Sequence, residues 1–103
     1  MKVSTELKQQ NSTIVKASAH IVEIERYKGS VSPMFVDRLE AYRMPLLRII
    51  AQKNEFYYYA MRTLNSLNAA IEYAKGDIGA RKRMISEYKA RDRIAKRLGG
   101  GIK

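Results

Sequence analysis

Residues that interrupt helices are confined to a few places in this chain. Glycines stand at 29, 76, 79 and 99–101, and prolines at 33 and 45. Each is costly inside a helix, so such clusters mark the ends of elements. The stretches between them carry apolar residues at the three-to-four spacing of one helix face. Leu7, Ile14, Ala17, Ile21 and Ile24 form the first stripe, widened by Val15 and Val22. They predict a helix over 5–27, capped by Ser4 or Thr5 with Glu6 in its first turn. Its first half, from Lys8 to Thr13, is polar and predicts fraying unless something covers it. Lys28-Gly29-Ser30 ends this helix.

Ser32-Pro33 restarts the chain, with Ser as N-cap and Pro at the first helical position. Phe35, Val36, Leu39 and Tyr42 give this second helix its apolar face. Pro45 lacks an N–H and disfavours helical geometry at Met44, which predicts an end at 44. A third helix is predicted over 46–74. Ile50, Tyr57, Ala60, Leu64, Leu67, Ile71 and Ala74 hold its stripe, and Lys53 interrupts it. Gly76-Asp77 closes it, with Asp77 as N-cap of a last helix over 78–98 and a flexible tail over 99–103.

Without a break, residues 33–75 would form a rod of about 64 Å. A domain of this size has a radius of gyration of only about 13 Å. The chain therefore either folds back near Pro45 or extends a long helix into an oligomer. The fold class predicted is all-α: a three- to four-helix bundle or elongated helical hairpin over a single domain, 1–103, ending in a basic amphipathic helix.

At 46% apolar residues the chain is too hydrophobic for a disordered protein. It has no cysteine, which removes disulfide scaffolding and thiol chemistry and points to a reducing compartment. No apolar stretch approaches the roughly 20 residues of a membrane span, and no secretory leader is expected. An intracellular, cytoplasmic location is predicted, or a virion if the chain is an assembly subunit.

Charge gives the clearest pointer to a partner. The net charge is +10, and residues 76–103 carry nine Lys/Arg against three Asp/Glu. On a helical wheel Lys82, Lys89, Arg93, Lys96 and Arg97 share one side, with Arg83 at its edge. Met84, Tyr88, Ala95 and Leu98 lie opposite, beside Ile94. A helix of this kind docks its apolar stripe and offers its basic face to a polyanion. Arg81, Lys82, Arg83, Lys89, Arg93, Lys96 and Arg97 are the candidate nucleic-acid-binding residues, suited to phosphate rather than base edges. Glu87–Arg91 and Asp92–Lys96 stand four apart and are predicted to neutralise part of the charge. Arg43 and Arg48, flanking Pro45, would extend the basic surface if the fold brought them near the last helix.

The run Phe56-Tyr57-Tyr58-Tyr59 sweeps most of a helix circumference, so one face cannot bury all of it. Tyr57 shares the core stripe with Ile50 and Leu64. Phe56, Tyr58 and Tyr59 are the candidate interface residues, since exposed aromatics anchor protein contacts or stack bases. His20 stands alone without metal-ligand spacing, and Gly76-Asp77-Ile78-Gly79 lacks the features of a phosphate loop. Glu23 and Glu25 point to different faces and make a poor acid/base pair. No enzyme activity, metal or cofactor is predicted. The junction at 69–88 is a poor helix-turn-helix, because its first helix is long and its second opens on Arg81-Lys82-Arg83.

These features predict a small basic accessory protein that grips DNA or RNA phosphates through its last helix with little sequence preference. The alternative is a helical structural or assembly protein, of a virus for example, that self-associates through the third helix and the tyrosines. A small inhibitor that meets an acidic protein surface is the third reading.

Overall fold

The computed structural model describes residues 5–98. Among them are five helices and no strand: α1 (Thr5–Arg26), α2 (Pro33–Ala41), α3 (Arg43–Ala51), α4 (Tyr57–Ala74) and α5 (Ala80–Arg97). The all-α helical bundle expected from the periodicity is the fold observed. The proposed tail, 99–103, and the candidate cap Ser4 lie outside the described residues.

Helix α4 is the hub and packs against each of the other four. Two of its faces make this possible. Ala60, Leu67 and Ile71 form an apolar face; Thr63, Ser66 and Ala70 form a second, of small residues. The second face lets α5 approach closely, and the Ser66 hydroxyl donates to the carbonyl of Met84 at 2.8 Å. Helix α5 runs antiparallel to α4, because Ser66, Arg62 and Tyr59 meet Met84, Glu87 and Arg91 in that order. The core is completed by Ile14, Ala17, Ile21 and Ile24 of α1, Val36 and Leu39 of α2, and Leu46 and Ile49 of α3.

Local signals hold at α2. The Ser32 side chain accepts from the Phe35 N–H at 3.2 Å, and Pro33 opens the helix. Gly29, at φ +79°, turns the chain out of α1, and a side chain there would press on the Tyr73 carbonyl at 3.2 Å.

Three boundaries differ from those predicted. The first interruption falls at Tyr42, not at Met44. Pro45 sits in the first turn of α3, where its missing N–H leaves nothing unsatisfied. The proline ring excludes the carbonyl four residues back, which is that of Ala41, and there α2 ends. Tyr42 itself keeps near-helical angles, so the interruption is a single residue.

The larger correction concerns the third helix. The predicted 46–74 rod is divided at residues 52–56, and α3 and α4 pack together instead of extending. Lys53 takes a left-handed φ of 51°. Asn54 then closes the turn, its side-chain oxygen accepting from the Phe56 N–H at 2.9 Å. Its amide reaches the side chain of Gln10 at 3.0 Å, and Gln10 in turn donates to Gln52 at 2.8 Å. The polar first half of α1 is thus what secures the α3–α4 turn, and Gln10 is buried in doing so. The radius of gyration is 13.4 Å, as expected for a folded-back chain. Self-association through one long helix loses its basis.

The third difference is at α5, which starts at Ala80 rather than 78. Gly79 is the N-cap, and no side chain caps the helix. Asp77 contributes its backbone carbonyl to the turn instead, accepting from Ala80 at 3.1 Å.

Candidate polyanion-binding face

Helix α5 buries Ala80, Met84 and Arg91 against the bundle, with Ile94, Ala95 and Leu98 packed at the margin. The opposite side is exposed, and Lys82, Lys89, Arg93, Lys96 and Arg97 occupy it. At 100° per residue these five fall within about 100° of the circumference, over about 22 Å of helix length. None of the five has an ion pair within the described residues.

The other two candidates behave differently. Arg81 is held by Glu25 of α1, its Nε donating to Oε2 at 3.0 Å, and this hydrogen bond raises its pKa further. Arg83 meets Glu72 of α4 at 2.7 Å and lies 4.0 Å from Asp77. Both stay exposed, yet each already has a carboxylate. They flank the free stripe and do not add to it.

The predicted neutralising pairs within α5 do not form. Glu87 turns to α4, where it accepts from Arg62 at 2.9 Å and from Asn65 at 2.6 Å. Asp92 accepts from Arg91 at 2.6 Å rather than meeting Lys96. All four carboxylates from Glu72 to Asp92 are therefore engaged by Arg62, Arg83, Arg91 or Asn65. The positive excess is left on the five-residue stripe.

Arg91 is the functional-looking residue that sequence reasoning placed wrongly. Only 7% exposed, it inserts its guanidinium between Tyr59 and Tyr88, 5.0 Å from each ring centroid. One terminal nitrogen donates to the Tyr59 hydroxyl at 2.8 Å, and Nε has no partner. Burial raises the pKa of the Tyr88 hydroxyl, and the Arg91 charge opposes that rise. The signal was present: Arg91 lies seven residues after Met84 and so shares the buried stripe. Tyr88 and Asp92 hold the buried guanidinium from within α5, and Tyr59 ties it to α4.

The aromatic run separates in an unexpected way. Phe56 is fully buried in the turn before α4, with its ring 6.2 Å from that of Tyr59. Tyr59 is buried on Arg91. Tyr57, expected in the core, is half-buried and meets the ring of Tyr58 edge-on at 4.9 Å. Of the three candidate interface residues only Tyr58 reaches solvent, at 64% exposure. Phe56 is withdrawn from any interface because it folds inward in the turn at 52–56, and Tyr59 because it shares with Thr63 and Ser66 the face of α4 that α5 covers.

Several other basic and titratable groups have structural partners. Arg43 donates to Asn68 at 2.9 Å, and among the described residues no ion pair joins it or Arg48 to α5. Glu40 accepts from Lys75 at 2.9 Å, which lowers the carboxyl pKa. His20 packs against the rings of Phe35 and Tyr42 and shares a hydrogen bond with the Lys16 carbonyl at 2.9 Å. Among the described residues no group of acidic, His or Cys side chains is arranged to hold a metal ion, and no helix is long and apolar enough to cross a membrane. No family model, no curated protein and no solved structure matches the chain.

Proposed function

We propose that this protein binds nucleic acid through the exposed face of α5, gripping phosphates with little sequence preference. One observation carries the reading: among the described residues Lys82, Lys89, Arg93, Lys96 and Arg97 form a stripe without ion pairs while the neighbouring carboxylates are engaged by other groups. Five like charges on one face repel each other, and a partner of opposite sign relieves that repulsion. Long Lys and Arg side chains at helix spacing reach phosphates without directional demands.

The test is equilibrium binding to mixed-sequence DNA and RNA over a range of salt concentrations. With five phosphate contacts the log–log slope on duplex DNA is expected near about −4.5, and near about −3.5 on single strands. A flat salt dependence, or no binding at low salt, rules the reading out and leaves the stripe solvated or facing an acidic protein.

A second reading, a helical assembly subunit, is favoured by a separate surface. Met34, Met44 and Leu47 on α2 and α3 are 66%, 57% and 45% exposed, a cost that burial against another protein would remove. If this surface self-associates, light scattering shows a mass above the monomer at tens of micromolar, and Met44→Lys with Leu47→Lys returns it to monomer. A monomeric mass for the unsubstituted chain eliminates the second reading.

A further inference from the structure

We propose that the cleft between α1 and α5 binds a small amphiphilic anion, an alkyl chain with one carboxylate head. The inference goes beyond the nucleic-acid reading and does not depend on it. It starts from how the two helices sit. Both pack on α4 and touch each other little. An ion pair between Arg81 and Glu25 joins them at one end of the cleft. Beside it they leave a cavity of about 340 Å³, within the range of small-molecule sites.

The walls of this cavity are apolar. Ile21 and Val22 of α1 face Met84, Ile85 and Tyr88 of α5 across it. Val22 is 40% exposed, and Ile85 and Tyr88 are half-buried, so an apolar ligand would take surface out of water. The Tyr88 ring also meets the Arg91 guanidinium, which steadies that wall.

Three charged residues complete the lining: Glu25, Lys89 and Asp92. Glu25 is held by Arg81, and Asp92 by Arg91. Lys89 is exposed and has no ion pair among the described residues. The charge left over at the cleft is therefore one cation beside an apolar trough. A carboxylate complements the cation, and an alkyl chain complements the aliphatic walls. A free amphiphile suits the site better than a bilayer does. Ile21 and Met84 are buried, so the site is recessed between helices, and α5 has no Trp or Phe to enter a headgroup layer.

The experiment titrates the full chain with decanoate, below the concentration at which it forms micelles, and with decanol, which has the same chain and no charge. Backbone amide NMR shifts report the binding. Decanoate is expected to bind one per chain, with shifts gathered at residues 21–25 and 84–92. Decanol should bind about fivefold more weakly, the worth of one exposed ion pair. Lys89→Gln should lower decanoate affinity to that of decanol and leave decanol unchanged. Val22→Asp, at an exposed position, puts a carboxylate in the cleft and should weaken both ligands at least about tenfold. Lys8→Gln removes a cation from the far end of α1 and should change neither. No shifts at the cleft, equal binding of decanoate and decanol by the parent chain, or equal losses from Lys8→Gln and Lys89→Gln overturns the proposal. Binding to phosphatidylglycerol vesicles without binding to free decanoate gives the cleft to a membrane surface and overturns it as well. In each of these cases the phosphate-gripping reading stands, because its test is the salt dependence of nucleic-acid binding.

Discussion

Replacing Phe56 with alanine is expected to destabilise the fold by about 3–5 kcal/mol, the range for a fully buried aromatic. Phe56 has no exposed surface, packs beside Tyr59, and donates its backbone N–H to Asn54 in the turn that separates α3 from α4. Truncation leaves a cavity at the point where the chain reverses. A domain of this length has a total stability of about 5–15 kcal/mol. The loss is therefore a large share of it, and a melting temperature lower by roughly 15 °C or more is expected. Tyr58→Ala, two residues away, is the control and should stay within about 0.5 kcal/mol of the parent chain. Thermal unfolding followed by circular dichroism measures both. A Phe56→Ala protein that melts like the parent would place this ring at a surface and undo the turn drawn at 52–56.

That contrast marks where the sequence was readable. The N-cap of α2, the glycine stop after α1 and the apolar stripes of α1 and α4 depend on neighbours within one or two turns, and local spacing captured them. The division of the third helix depends on Gln10, which is 44 residues from Asn54. Lys53 read as a flaw in a stripe because nothing near it in sequence announces a left-handed residue. Once that break is missed, Phe56 is placed on a helix face rather than in the buried turn, whereas Tyr59, inside α4, is sent to the surface because nothing local shows that α5 covers its face. The small face of α4 escaped notice for a related reason: Thr63, Ser66 and Ala70 are not hydrophobic enough to register as a stripe, although they set the approach of α5.

The candidate site divides along the same line. Which cations share a face of α5 follows from 100° per residue, and the exposed stripe is the one the wheel gave. Which of them are free does not follow. Glu25 and Glu72 come from other helices to hold Arg81 and Arg83, and Arg62 draws Glu87 away from Arg91. Sequence spacing favoured neutralisation within the helix, whereas the fold offered each carboxylate a nearer or better-oriented partner in three dimensions. Free charge on the stripe is therefore larger than the i,i+4 rule implies.

Substituting Lys89, Arg93 and Arg97 together by glutamate is the second large effect expected. All three are exposed and none has an ion pair among the described residues, so no ion pair is broken in the folded chain. Helical content should be preserved apart from a few tenths of a kcal/mol where a carboxylate at position 97 opposes the helix dipole. Binding to nucleic acid should fall by at least about 100-fold, because three of five phosphate contacts become repulsive. The salt slope should shrink to about −2 or less in magnitude. The informative comparison is Arg81→Gln with Arg83→Gln. These remove two cations from the same helix, but cations already occupied by Glu25 and Glu72. If the stripe is the contact surface, this pair weakens binding only slightly. If general positive charge drives binding, loss scales with the charge removed wherever it sits on α5. A triple reversal that keeps full affinity would move the site off this helix altogether.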